Sequence, residues 1–396
     1  MFHRRPLGLT TITSDAGGSI AKLAAVEGFS RAVLVGVVPL IAYEVLDSKE
    51  AVALTYLVAA FFTLFVTLNF NRLERLLQRR WVVTLGGVFL IGAAMLLYFG
   101  EGVFFSMGIG MRSAAASIFT VCMSLYIMEY IQKAHFTKTE SRRMLFNGAA
   151  WLTAPLTGVY LWEKVGHIAP FILSATAAGL MILFFWYLRL GDNKILKAAK
   201  PRPPTTPLRL LPRYFGQKNL RIAYFVTLSR SMFWATLFVY APIYVVEAGY
   251  SKMFAAGLLS AASGLLFLSP LIRRLAERVT TKNVIICGLA VAGCSMCILG
   301  IIGNAQPIGI VFWMTASMGG ALVDVLGNIP FMRTVKPYER TEMTMVFSTW
   351  REMSELMTPL CITLIGLIFP FYMYYFLLAG ILLSVSVAAT MLPRRL

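Results

Sequence analysis

Nine ionisable residues stand inside otherwise apolar stretches of this chain: Glu27, Arg31, Arg112, Arg230, Asp324, Arg351, Glu352 and Glu355, with Glu129 near the end of its own stretch. A charge at the centre of a membrane helix costs about 2.5–3.5 kcal/mol on insertion scales, so such residues face a cavity or a partner. Glu27 and Arg31 are four apart, as are Arg351 and Glu355, and each pair shares a helix face. Asp324 and Asn328 have the same spacing, and no basic residue stands near Asp324 in its own stretch. Two chemistries compete at Glu27: an ion pair with Arg31 that neutralises itself, or a carboxylate raised by burial and lowered by arginine, able to load and release a proton. Arg112 and Arg230 either hold a fold-stabilising or gating salt bridge or grip an anionic solute group in a fork. Asp324 reads as a proton or cation site. Arg351, Glu352 and Glu355 read as a local network.

The elements that carry these residues are membrane helices. Hydrophobic residues make up 58% of the chain and charged ones 14%, with a mean hydropathy of +0.73, against about 45–50% and about 25% in soluble domains. Runs of about 20 apolar residues fall near 21–46, 51–70, 81–99, 103–130, 144–162 and 168–189, then near 221–247, 253–272, 283–302, 308–332, 345–369 and 371–392. They are continuously apolar rather than alternating, which excludes a β-barrel. Between the sixth and seventh lies Gly191–Arg221, rich in proline and in Lys/Arg, with Asp192 its only acid. The expected layout is a six-helix bundle over 1–190, a basic linker over 191–220 and a second bundle over 221–396.

The net charge of +18 sits in the connections, so topology explains it better than nucleic-acid binding does. Lys/Arg clusters follow the second, fourth, sixth, eighth and tenth spans and close the chain at Arg394 and Arg395, while the opposite loops offer only Lys49, Lys164 and Lys252. Both termini are therefore expected in the cytoplasm. The N-terminal segment lacks a signal-peptide core, so the first span is expected to stay in the mature protein. The five cysteines lie in apolar runs and the three histidines are scattered. No metal site, cofactor, nucleotide loop or nucleophile–base set is expected, and hence no enzyme. The compact loops and short termini are in the style of a bacterial inner-membrane protein working as a monomer.

The halves repeat at a shift of about 203 residues. Pro39 and Glu44 match Pro242 and Glu247; Glu74-Arg75 matches Glu277-Arg278, with Arg79 opposite Lys282; Pro155 lies near Pro359 on the same shift. Parallel six-helix repeats are a transporter pattern. With the basic central loop and the charged loops after spans two and eight, the chain resembles the major facilitator superfamily along essentially its whole length. Asn71–Arg80 is a degenerate form of that family's Gly-x-x-x-Asp-Arg-x-Gly-Arg-Arg signature: it keeps Glu74-Arg75 and Arg79-Arg80 but lacks the glycines. Met111–Ala116 resembles an Arg-x-x-x-Gly motif of proton-coupled members, with Ala116 replacing glycine.

The resemblance implies an all-α fold of twelve helices in two pseudo-symmetric bundles. In it, helices one, four, seven and ten line a central cavity. The intramembrane charges fall on those four and on the eleventh. It implies that Glu74, Arg75, Glu277 and Arg278, otherwise plain topology signals, act as conformational clamps, with Arg351 and Glu352 near an inner gate. The expected function is alternating-access transport of a small organic anion or zwitterion, coupled to protons through Glu27, Asp324 or Glu355, with Arg31, Arg112, Arg230 and Asn328 toward the solute. Two alternatives stand beside it: a multidrug or metabolite efflux pump, and, from another class, a membrane receptor or assembly factor that transports nothing. Asn147, Trp151, Trp234 and Tyr240 have two readings, facing the solute or, favoured for each, packing and interface anchoring. Gly108, Gly110, Gly319 and Gly320 are read as close helix contacts.

Overall fold

The computed structural model describes residues 15–130, 136–188, 207–336 and 339–393. Lys133, Arg394, Arg395 and residues 191–206 of the expected linker lie outside the described residues. The described residues are helical throughout, without a strand. In order they form α1 (Asp15–Val33), α2 (Val38–Leu46), α3 (Lys49–Leu68), α4 (Phe70–Phe99), α5 (Val103–Tyr130), α6 (Phe136–Lys164) and α7 (Ala169–Leu188). The end of the linker forms α8 (Pro207–Phe215), and after it come α9 (Lys218–Glu247), α10 (Lys252–Gly264), α11 (Ser269–Val279), α12 (Thr281–Ile302) and α13 (Pro307–Leu326). The chain continues through α14 (Ile329–Thr334), α15 (Arg340–Phe347), α16 (Trp350–Gly366) and α17 (Met373–Ala389).

Helix coincides with each of the twelve apolar runs. Nine segments among the described residues are long and apolar enough to cross a membrane, and α17 is a shorter apolar helix. Large apolar side chains such as Phe61, Phe65, Leu180, Leu183, Ile301 and Val387 stand exposed on them. In water that would be a liability; against lipid tails it is the ordinary outer surface of a membrane helix.

Several spans are broken, and in the first and tenth proline accounts for the break. Pro39 has no N–H to offer the Val35 carbonyl, its ring crowds that carbonyl, and it disfavours helical geometry at Val38. The first span accordingly opens into a turn over 34–37 between α1 and α2. Pro330 acts likewise on the Leu326 carbonyl, and the tenth span breaks at Gly327-Asn328 between α13 and α14. Pro242, the repeat partner of Pro39, leaves α9 continuous.

The backbone carries its own record of the repeat. Positive φ occurs at Asp47 and Gly249, at Gln78 and Thr280, and at Gly102 and Gly303. The separations are 249 − 47 = 202, 280 − 78 = 202 and 303 − 102 = 201, within two residues of the shift seen in the sequence. Each pair marks an equivalent point where a helix ends or turns sharply. At Gln78 and Thr280 the conformation is taken by residues that bear a Cβ, which is uncommon.

The chain clusters into two compact units. One comprises Met1–Ala42 and Thr55–Lys200, the other Tyr43–Leu54 and Pro201–Leu396. In the first, α1 packs closely along α6 and against α7, and α4 along α5. Ser30 and Ser174 exchange hydroxyl-to-carbonyl hydrogen bonds of 2.8 Å across α1 and α7. Gly158 lets α6 press on the opened end of α1: a Cβ there would collide with the Val33 carbonyl oxygen. Without a hydrophobic drive between helices in lipid, such close approach is a main source of association.

In the second unit α12 packs along α13 and α17. A Cβ at Gly319 would come 2.5 Å from the Gly288 carbonyl, and one at Gly320 would come 2.6 Å from the Phe233 ring. Lys282 donates to the Thr390 and Leu392 carbonyls at the end of α17, a cation on the negative end of a helix. The connection over 43–54 belongs to this unit. Tyr43 donates to Glu247 at 2.6 Å, Lys49 pairs with the same carboxylate at 2.6 Å, and Lys252 pairs with Glu44.

The linker's last turn forms α8, which is fastened to α15. Arg213 donates through Nε and Nη2 to one oxygen of Glu339, at 3.1 and 2.6 Å, and Gln217 donates to the other at 3.0 Å. Beneath them Tyr214 is fully buried with Tyr224, Phe331 and Phe347. The Gln217 hydrogen bond and the Arg213 guanidinium hold the Glu339 carboxyl below the usual carboxylate range. A carboxylate so shifted stabilises the fold fully above its unfolded pKa of about 4.3, and the contribution fades as pH falls toward the folded value.

Two measurements check this account. Gly158→Ala lowers the melting temperature in detergent, an overpacking cost of about 1–3 kcal/mol, while Gly179→Ala, where a Cβ would meet nothing within 4 Å, leaves it unchanged. Glu339→Gln lowers the melting temperature at neutral pH and flattens its fall below about pH 4, where the wild-type protein loses this contribution.

Candidate functional site

Each unit contains one arginine that caps a proline-broken helix from outside it. In the first unit, the turn after α1 shifts the hydrogen-bond ladder. Val35 N–H donates to the Ala32 carbonyl at 3.1 Å, while the Arg31 carbonyl receives Leu34 N–H at 3.3 Å. Arg112 Nη1, from α5, donates to that same Arg31 carbonyl at 3.0 Å. The Arg31 side chain turns back along α1 onto Glu27. Its Nε donates to Oε1 at 2.5 Å and its Nη2 to Oε2 at 3.2 Å, a two-point grip. The guanidinium also lies 5.7 Å from the centre of the Trp151 ring. Asn147 and Trp151 of α6 close against Gly28, where a Cβ would meet both. Tyr56, on α3, buries its hydroxyl near Arg112 with no hydrogen-bond partner among the described residues.

In the second unit, Arg230 of α9 reaches the break between α13 and α14. Its Nη1 lies 3.0 Å from Asp324 Oδ1 and donates to the Asp324 carbonyl at 3.2 Å. The guanidinium packs 4.9 Å from the centre of the Trp350 ring. The Arg230 side chain is 6% exposed and that of Asp324 31% exposed. The cation is thus sealed in, while its counter-charge reaches accessible surface. Three polar atoms around this pair, Arg230 Nε, Asn328 Oδ1 and Trp234 Nε1, are buried without a hydrogen-bond partner among the described residues. Unpaired buried polar groups are costly, so this neighbourhood is equipped to receive hydrogen bonds and to give them. Arg351 pairs with Glu355 at 3.3 Å within α16. Glu352 stands beside Arg351 in the first turn of α16, and Ser231 and Ser354 link α9 to α16 at 2.6 Å.

The residues singled out from the sequence are thus brought together unit by unit: Glu27, Arg31 and Arg112 in the first, Arg230, Asp324, Asn328, Arg351, Glu352 and Glu355 in the second. Glu74 pairs with Arg79 at 2.8 Å, and Arg79 also lies over the Tyr126 ring; the Arg75 side chain lies outside the described ones. Glu277 pairs with Arg273 at 3.4 Å on an exposed surface. Trp151 and Asn147, read as packing residues, border the Glu27–Arg31 pair directly. Sequence reasoning misses Tyr56, Trp350 and the Ser231–Ser354 link. Trp350, next to Arg351, belongs to a charge-flanked stretch the sequence does mark; Tyr56 sits in a span without charge and carries no sequence signal.

The profile of the Major Facilitator Superfamily matches residues 21–351. The chain belongs to that superfamily, and it is a multi-pass integral membrane protein with its all-helical fold. A search of curated proteins finds no match. Among solved structures it is similar to a POT family transporter in complex with 5-aminolevulinic acid, with a TM-score of 0.77, 13% identity and 94% of each chain covered. It is also similar to the nucleoside transporter NupG, with a TM-score of 0.72, 13% identity, and 95% of this chain and 99% of that one covered. A peptide transporter POT in complex with sulfate gives 0.73 and 13%, covering 95% and 93%. At such identity the likeness concerns the fold.

Asp324→Asn leaves Arg230 buried without its counter-charge. The full cost of stranding a buried charge is about 3–5 kcal/mol; with Asp324 a third exposed, a loss of about 1–3 kcal/mol is expected. Arg230→Gln combined with Asp324→Asn recovers part of it, and thermal unfolding of the three variants in a double-mutant cycle reads the coupling.

Proposed function

We propose that this protein is a secondary active transporter that moves a small organic anion or zwitterion across the membrane by alternating access, with proton coupling. Two six-helix repeats joined by the basic linker would form it, with twelve crossings and both termini in the cytoplasm of a bacterial inner membrane. The observation that carries the reading is the Arg230–Asp324 pair at the broken tenth span, within a chain of this superfamily. A buried, permanently charged arginine is a standing site for a carboxylate or phosphate. Its present occupant is a carboxylate that solvent can reach and a proton can neutralise.

The cycle follows from that exchange. With Asp324 ionised, Arg230 is satisfied internally. Protonation removes the counter-charge and leaves Arg230 held by the Asp324 carbonyl and the Trp350 face alone. A cargo anion then restores neutrality, so proton and cargo occupancy are linked, and the differential affinity of the two states for the pair drives the conformational shift. Glu27–Arg31 is a second such pair, more enclosed and gripped at two points. The fold neighbours include transporters of peptides, a nucleoside transporter and a POT member holding 5-aminolevulinic acid, solutes of the size and polarity this reading needs.

The test is reconstitution in liposomes loaded with a pH-sensitive dye. Pooled organic anions, zwitterions and drugs are presented under an imposed pH gradient, and each hit is repeated with Asp324→Asn and Glu27→Gln. Proton movement that requires one solute class and falls at least tenfold in one variant is the expected result. Solute flux that carries no protons would remove the coupling. Tight binding with no flux of any bound solute would turn the reading toward a receptor.

A further inference from the structure

The eighth span does not end where its apolar run ends. After α10 a short 3-10 turn over Leu265–Leu268 leads into α11, whose sequence Ser-Pro-Leu-Ile-Arg-Arg-Leu-Ala-Glu-Arg-Val is sharply two-sided. Ile272 and Ala276 are buried toward α12 and α13, against which the helix packs. Leu271, Leu275 and Val279, four apart on the next stripe, are 60%, 43% and 46% exposed. Beside them on the following stripe stand Arg274 and Arg278, also four apart and exposed. Further round, Arg273 is taken up by Glu277 at 3.4 Å.

Arg274 and Arg278 have no hydrogen bond or ion pair among the described residues. In the first repeat, the basic residues described just beyond this point are committed. There Arg79 is bound to Glu74 and stacked on Tyr126, and Arg80 lies 6.0 Å from the centre of the Trp186 ring. Lys282, the counterpart of Arg79, is committed to the end of α17. Thr280 fixes the far end of α11: it holds φ 98° and caps Asn283 N–H as α12 begins. The helix is therefore pinned at both ends and along one side. It stands at the end of a membrane-crossing segment, with an apolar stripe and two uncommitted guanidinium groups facing outward together.

We propose that α11 binds an anionic phospholipid, with Arg274 and Arg278 holding the headgroup phosphate and Leu271, Leu275 and Val279 lying along the upper acyl chains. Charge selects the occupant. Two arginines one helical turn apart match a phosphate, and the adjacent apolar stripe makes sense only if that phosphate is attached to hydrocarbon. A soluble anion would leave the leucines in water, and a neutral lipid would leave the arginines uncompensated.

Full-length protein in a neutral detergent is titrated with phosphatidylglycerol, phosphatidylcholine or glycerol phosphate, reading melting temperature and, by native mass spectrometry, retained lipid. Phosphatidylglycerol is expected to raise the wild-type melting temperature by several degrees more than phosphatidylcholine does. The excess is expected to fall by at least half in Arg274→Gln/Arg278→Gln and in Leu271→Ser/Leu275→Ser, with one fewer lipid retained. Arg273→Gln, which removes a charge already paired, should keep the excess; Arg274→Gln alone serves if the double variant does not fold. An undiminished phosphatidylglycerol effect in the variants, an equal loss in Arg273→Gln, or the same stabilisation by glycerol phosphate alone would overturn the proposal.

Discussion

A proline break in a membrane helix exposes carbonyls where no water is at hand, and much of this structure follows from how those carbonyls are met. Each orphaned backbone group in hydrocarbon costs several kcal/mol. Beside the breaks before Pro39 and Pro330 an arginine from another helix meets a carbonyl of the last helical turn: Arg112 at the Arg31 carbonyl, which also receives Leu34 N–H, and Arg230 at the Asp324 carbonyl. The arginine needs compensation in its turn. Arg230 finds it in the Asp324 carboxylate and the Trp350 face. At the tenth span the break, the cap and the counter-charge therefore stand together.

The same economy explains why charge is concentrated where it is. Helices that run unbroken through apolar surroundings, such as α7 and α12, hold together by shape, with small residues and hydroxyl-to-carbonyl contacts at their crossings. Charge appears where the backbone itself is irregular. Such places are also where a small change, a proton on a carboxylate or an anion beside a guanidinium, alters several interactions at once. Charge and irregularity coincide here because an intramembrane charge has few other sites where it can be retained.

How far the sequence discloses this depends on the range of each contact. Apolar runs, their polarity and the repeat are local or periodic signals, and the backbone repeats them in the paired positive-φ residues. Glu27–Arg31 and Arg351–Glu355 are legible because four residues on a helix is a fixed distance. Arg230–Asp324 is not: the two stand 94 residues apart, and inside its own span Asp324 looks solitary. Arg112 and the Arg31 carbonyl are hidden for the same reason, and because a backbone oxygen has no letter in the sequence. Pro39 and Pro330 are the available clue, since each forecasts where a helix will open. Glu74 and Glu277 pair with Arg79 and Arg273, again at short range along the chain.

The repeat also shows how two similar halves come to do different things. Pro39 and Pro242 occupy equivalent positions, yet only the first interrupts its helix; Pro330 interrupts the tenth span instead. The capping arginines trade places accordingly. In the first unit the broken helix is the first span and the arginine comes from the fourth; in the second the broken helix is the tenth and the arginine comes from the seventh, the counterpart of the first. The counter-charges separate as well. Glu27 belongs to the same helix as the arginine it grips and is enclosed with it, whereas Asp324 belongs to the helix opposite and remains a third exposed. A pair locked within one helix keeps its geometry when that helix moves. A pair that spans two helices depends on how those two helices are placed, and Arg230–Asp324 is such a pair. The asymmetry therefore places an intrahelical pair in the first unit and an interhelical pair in the second, each beside a broken helix.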